Sequence, residues 1–194
     1  MEFIKGYLEE IQNIAKRLSV EKIDKILQEL INLRNREGRL FILGIGGSAG
    51  NASHAVNDFR KLTSIEAYAP TDNISELTAR VNDEGWDTIF TEYLKVSKLD
   101  QDDCILVLSV GGGDIEKNIS TNICKAIDFA KANAVRVLAI VGREQGYASS
   151  NSDVCLVVPN VNPNHVTPHS EAMQTVIWHL LVTHPKLKSN STKW

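Results

Sequence analysis

Three cysteines, five prolines and an aromatic content of 6% are modest for 194 residues, and each shortage excludes something. Cys104, Cys124 and Cys155 are odd in number, widely spaced and set among aliphatic neighbours, so they read as reduced packing residues of a cytoplasmic protein. No apolar run reaches the roughly 18 residues that span a bilayer, and no membrane partner is expected. Met1-Glu2-Phe3-Ile4-Lys5 lacks the charged-then-apolar order of a signal peptide. Basic excess is missing too: a net charge of -3 supplies no field for gripping nucleic acid. What remains, 43% hydrophobic and 23% charged residues, is the composition of one globular domain able to bury a core without staples.

The first residues look helical. Phe3, Ile4, Tyr7, Leu8, Ile11, Ile14, Ala15 and Leu18 recur at three- and four-residue spacing and form one apolar stripe. Ser19 is placed to cap a second helix carrying Ile23, Ile26, Leu27, Leu30 and Ile31. Together they have more apolar face than one small sheet covers, which predicts a helical subunit interface. Residues 1–36 are read as a helical arm of a single domain, 37–185 as its α/β body and 186–194 as a flexible tail.

Short aliphatic runs at 39–44, 104–109, 135–142 and 154–158 suit buried parallel strands, and a weaker one lies at 67–69. Helices are expected between them over 48–62, 74–81, 118–133 and 170–182. The alternation predicts an open parallel sheet of about five strands with helices on both faces.

Ligands of such sheets gather at the carboxyl ends of the strands, and two of those ends are rich in glycine and serine. Gly44-Ile45-Gly46-Gly47-Ser48-Ala49-Gly50 leads straight into a helix, where N–H groups and the helix start favour an anion. Gly44, Gly46 and Ala49 satisfy G-x-G-x-x-G/A, but a dinucleotide site also needs an acid at the end of the next strand. Glu66 precedes that strand and the P-loop lysine is absent, so no nucleotide cofactor is expected. Ser109-Val110-Gly111-Gly112-Gly113-Asp114 closes another strand, and Ser120-Thr121-Asn122 beyond it either caps a helix or offers hydroxyls to a ligand. Two such loops suggest a small phosphorylated ligand; plain turn-making accounts for the same glycines.

His54 and Asp58 stand four apart, on one helical face, able to share a proton or a metal, although such a pair also arises incidentally. Thr167-Pro168-His169-Ser170-Glu171 opens the last helix, with Pro168 suited to its first turn and Glu171 a favourable charge there. His179 lies among Val176, Ile177, Trp178, Leu180 and Leu181, a setting for a core or interface histidine as much as for a catalyst. His165, His169 and His184 carry no comparable spacing and are read as loop or surface residues.

Taken together, these segments resemble the sugar isomerase (SIS) domain family, and within it the phosphoheptose isomerases. The likeness is carried by G-I-G-G-S-A at 44–49, His54, Asp58, V-N-D-E-G at 81–85, the glycine loop at 109, and T-P-H-S-E with His179 beyond it. It implies a single SIS α/β domain, an N-terminal arm used in oligomerisation, and a cytoplasmic homotetramer with active sites between subunits. The implied reaction interconverts sedoheptulose 7-phosphate and D-glycero-D-manno-heptose 7-phosphate, feeding heptose into bacterial surface glycans. By position, Asp58 falls where the family has its base and His179 where it has its acid. Substrate contacts fall on Gly46, Gly47, Ser48, Asn82, Asp83, Ser109, Ser120, Thr167 and Glu171. His54, Asp58, Glu171 and His179 fall where some members hold zinc. The alternative is a catalytically silent SIS module that binds a sugar phosphate or a protein partner such as the replication initiator.

The sequence departs from that family pattern at several points. Asp58 replaces glutamate, Glu171 replaces glutamine and Ile45 replaces a polar residue. Val110 and Gly111 stand where hydroxyls usually bind phosphate, and a longer stretch separates Ser109 from Ser120. A divergent branch is inferred. Glu171 and His179 are also eight residues apart, about 12 Å along one helix, too far to share an ion within one chain.

Overall fold

In the computed structural model, which describes residues 1–192, Leu40–Leu43 (β1), Ala67–Tyr68 (β2), Cys104–Ser109 (β3), Arg136–Val141 (β4) and Val154–Val157 (β5) form one sheet ordered β2-β1-β3-β4-β5. Every pairing is parallel, and Leu40 faces Ala67 on one side and Cys104 on the other. All residues of β1 and β3 are buried, as strands covered on both faces must be. The chain runs outward from β1 to β2 and then returns to β3. The carboxyl ends of β1 and β3 therefore lie side by side where the connections diverge, the crevice in which open sheets bind ligands. Both glycine loops leave the sheet there.

The helices are α1 (Glu2–Arg17), α2 (Val20–Asn35), α3 (Gly47–Thr63), α4 (Ile74–Asp83), α5 (Ile89–Val96), α6 (Thr121–Ala132), α7 (Tyr147–Asn151) and α8 (Val166–Thr183). One face of the sheet packs on α1, α2, α3 and α8 through Ile14, Ile26, Phe59, Ile177 and Trp178, all fully buried. The other packs on α5, α6 and α7 through Phe90, Ile127 and Ala148. Each large apolar side chain so buried contributes about 1.5–3 kcal/mol over its exposed state. Ser19 does cap α2, accepting from the Lys22 N–H at 3.2 Å. Phe3, Ile4 and Leu8 on the outer side of α1 stay more than half exposed. Among the described residues no helix is long and apolar enough to cross a membrane.

The structure corrects four expectations. Helices α5 and α7 join those read from the sequence. α6 starts at Thr121 instead of 118 because Asp114 and Ile119 exchange backbone hydrogen bonds of 2.8 and 2.9 Å, and Ser120 then takes a left-handed φ of 50°. α8 starts at Val166, ahead of 170, because a 3-10 turn, Pro163–His165, runs straight into it. The tail is fastened: Leu187 is fully buried, and the Ser189 and Asn190 N–H groups donate to Leu62 O at 2.8 and 3.0 Å. Positions 193 and 194 of that tail lie outside the described residues.

Candidate active site

Helices α3 and α8 are stapled by a polar network. Ser48 Oγ and Asn51 Nδ2 both donate to Gln174 Oε1 at 3.0 Å. Asn51 Nδ2 also donates to Glu171 O at 2.9 Å, and Thr175 Oγ1 donates to Asn51 Oδ1 at 2.8 Å. Partners recurring every three or four residues on each helix fix their relative rotation and register. Further along, the same two faces bring His54 and Asp58 of α3 against Trp178 and His179 of α8.

His179 Nε2 lies 3.7 Å from Asp58 Oδ2. Asn57 Nδ2 donates to Asp58 Oδ1 at 2.8 Å, which leaves Oδ2 as the free oxygen. His179 Nδ1–H donates to Thr175 O at 2.9 Å, so Nε2 is the nitrogen that faces the carboxylate. The Trp178 ring lies 3.6 Å, centroid to centroid, from that imidazole and 4.7 Å from the ring of His54. Asp58 is only 6% exposed at its side chain, whereas His179 is 43% exposed.

His54, Asp58 and His179 each offer a donor atom within 4.8 Å of the others. Two imidazole nitrogens and a carboxylate oxygen are a set that zinc takes, and the bond from Nδ1–H to Thr175 O is the kind of outer contact that orients a histidine ligand. Glu171 does not join this group. α8 is continuous from Val166 to Thr183, and the Glu171 carboxylate instead covers Gly47, where an added Cβ would overlap it. The reading of Glu171 as a ligand to the same ion is corrected for a single chain.

The chain is 30% identical over 185 residues to a phosphoheptose isomerase of Syntrophotalea carbinolica, an alignment covering 91% of this chain and 89% of that protein. The chain belongs to the phosphoheptose isomerase family. A phosphoheptose isomerase of Helicobacter pylori is 27% identical over 176 residues, 86% of each chain. The structure of a phosphoheptose isomerase from Neisseria gonorrhoeae superposes with a TM-score of 0.79 at 25% identity, over 93% of this chain and 95% of that one. No general family model matches the sequence.

The other residues that the family likeness singled out divide in two. Gly46 (φ 61°) and Gly47 are exposed at the start of α3, below Glu171. Ser109 Oγ accepts from the Gly112 N–H at 3.0 Å within a loop whose Gly112 and Gly113 both need positive φ. Thr167 is exposed in the first turn of α8, and Ser120 is partly exposed before α6. Ser48 is 2% exposed and its hydroxyl donates to Gln174, so the hydroxyl serves the staple. Asn82 and Asp83 are exposed at the end of α4 and bond to each other at 2.7 Å. His169, read as a surface residue, is 3% exposed.

Sequence reasoning missed Asn51, Gln174, Thr175 and Trp178. Extending the His54–Asp58 face backward by three and six residues would have exposed Asn51 and Ser48 as its continuation. It also missed the surroundings of the loop after β3. A cavity of about 370 Å³ opens there, lined by Val110, Gly111, Asp114, Lys117, Arg143 and Gly146 among others. Lys117 Nζ pairs with Asp114 Oδ2 at 2.9 Å and holds that carboxyl below its usual range.

Proposed function

We propose that the chain is a ketose–aldose isomerase of sugar phosphates, with sedoheptulose 7-phosphate and D-glycero-D-manno-heptose 7-phosphate as its pair. One observation carries this reading: in a chain of this family, a buried carboxylate stands 3.7 Å from a half-exposed imidazole. Isomerisation moves a proton between adjacent carbons through an enediol, which needs a base at carbon and an acid at oxygen. Asp58 Oδ2 is the base, its other oxygen being held by Asn57. His179 Nε2 exchanges the proton at the sugar oxygens while Nδ1–H stays on Thr175 O. With His54, the same two residues are the donors that would hold zinc; when bound, the ion would polarise a carbonyl oxygen in place of the His179 proton.

The phosphate belongs at the ends of β1 and β3. Lys117 and Arg143, with loop N–H groups, replace the hydroxyls that Val110 and Gly111 lack, and Lys117 offsets Asp114. Asp58 lies eleven residues beyond Gly47 on α3, about 16 Å along the axis. That exceeds the length of an extended heptose phosphate, so the loop of one subunit and the Asp58–His179 pair of another complete each site. The uncovered Phe3, Ile4 and Leu8 of α1, and Val176 and Leu180 beside His179, supply apolar faces for a homotetramer. Free cysteines, two of them buried, support a cytoplasmic setting.

The test is turnover of sedoheptulose 7-phosphate by the purified protein, followed by NMR, alongside thermal shift. Formation of the aldose is expected. Stabilisation without turnover would favour the silent module instead.

A further inference from the structure

A second cluster lies where the N-terminal arm meets the foot of α8. Glu10 Oε2 stands 2.8 Å from His165 Nδ1 and 2.6 Å from His169 Nε2, and these donor atoms all lie within 4.8 Å of one another. The i, i+4 spacing of the histidines, from the 3-10 turn into α8, turns both rings toward α1. Asn162 orients the third group. Its Oδ1 accepts from the Asn164 N–H at 3.0 Å, so Nδ2 is the atom that donates to Glu10 Oε1 at 2.7 Å. Oε2 is left for the imidazoles.

The surroundings are those of a ligand set more than of an ordinary surface ion pair. Tyr7, one turn before Glu10, covers the rings, with centroids 4.5 Å from His169 and 5.3 Å from His165, and Phe3 closes the edge of His165 at 5.9 Å. Side-chain exposure is 21% for Glu10, 22% for His165 and 3% for His169. Among the described residues, the ion-pair partners of Glu10 are these two histidines and no lysine or arginine.

We propose that Glu10, His165 and His169 form a divalent-metal site of the zinc class that clamps α1 to the base of α8. Two imidazole nitrogens and one carboxylate oxygen suit zinc, and the partly exposed side leaves a fourth position for water. Tetrahedral zinc at roughly 2.0–2.2 Å from each donor spaces the donors about 3.3 Å apart, which asks Glu10 Oε2 to draw back from the two nitrogens by about half an ångström or slightly more. The site is separate from Asp58 and His179. His169 and His179 are ten residues apart on one helix, about 15 Å. The ion fixes the arm, whose outer face carries Phe3, Ile4 and Leu8, against the helix that bears Glu171 and His179.

The test uses the full chain with Asp58→Asn and His179→Ala, which removes the other donor group whatever that group does. Titration with Zn2+ against a chromophoric chelator is expected to show one equivalent bound and a rise in melting temperature. Adding His165→Asn and His169→Asn is expected to abolish that equivalent, with Co2+ losing its visible absorption in parallel. If the multiple variant does not fold, His165→Asn alone, at a partly exposed side chain, is expected to weaken Zn2+ at least about tenfold. No binding by the Asp58→Asn/His179→Ala chain, or Zn2+ affinity that is unchanged when His165 is replaced, overturns the proposal.

Discussion

Replacing Gln174 by leucine isolates the staple between α3 and α8. Leucine fills a similar volume but offers no acceptor to Ser48 Oγ–H and Asn51 Nδ2–H. The Ser48 hydroxyl, 2% exposed, is then left unpaired, at a cost of about 1–3 kcal/mol. Asn51 is partly exposed and keeps its bond to Glu171 O, so its share is small. Gln174 Nε2 is itself buried without a partner, and its removal returns about 1 kcal/mol. The net loss expected is about 0–2 kcal/mol, or up to about 8 °C in melting temperature at roughly 2–4 °C per kcal/mol. Ser48→Ala in the same background removes the orphaned hydroxyl and restores part of the loss, a coupling of about 0.5–3 kcal/mol. Urea unfolding of the four proteins at one fixed concentration measures both quantities. Full stability for Gln174→Leu, together with simple additivity, would refute the staple.

Other outcomes follow from single contacts. Asp103, 3% exposed at its side chain, accepts from Arg39 N, Nε and Nη2 and from Asp100 N; Asp103→Ala is expected to cost about 1.5–3 kcal/mol in urea unfolding, and a loss below about 1 would contradict the weight given to these bonds. Leu187→Ala is expected to cost about 2–5 kcal/mol by calorimetry, whereas a loose tail would make it neutral. Gly47→Ala pushes the Glu171 carboxylate aside; kcat/KM for sedoheptulose 7-phosphate should fall while stability stays within about 1 kcal/mol, and unchanged kinetics would remove Glu171 from the substrate's surroundings.

The sheet was legible because each of the four longer strands is a short aliphatic run closed by glycine, serine or a turn, and the β-α alternation favours one parallel arrangement. α5 and α7 were not, since Ile89–Val96 and Tyr147–Asn151 are too short for a periodic stripe to stand out. The pairing of Asp58 with His179 came from the order of motifs across the whole chain, not from any local pattern. Eight residues within the one helix α8 set Glu171 and His179 about 12 Å apart along its axis. What spacing could not show is depth. Ser48 looks like a loop hydroxyl in sequence, and only the packing of α8 over it converts it to a structural donor. His165 and His169 stand four apart, as His54 and Asp58 do, but the first of them lies in a 3-10 turn that merges with α8 and the sequence reading began that helix too late to see them on one face.

The most direct measurement is kcat/KM for sedoheptulose 7-phosphate by the wild-type protein, Asp58→Asn and His179→Gln, with urea midpoints recorded for each. Loss of the base or of the acid is expected to cost about 10²- to 10⁴-fold, with folding unchanged. A variant at either position that retains activity within tenfold of the wild type would contradict the assignment of Asp58 and His179 as the proton-transfer pair.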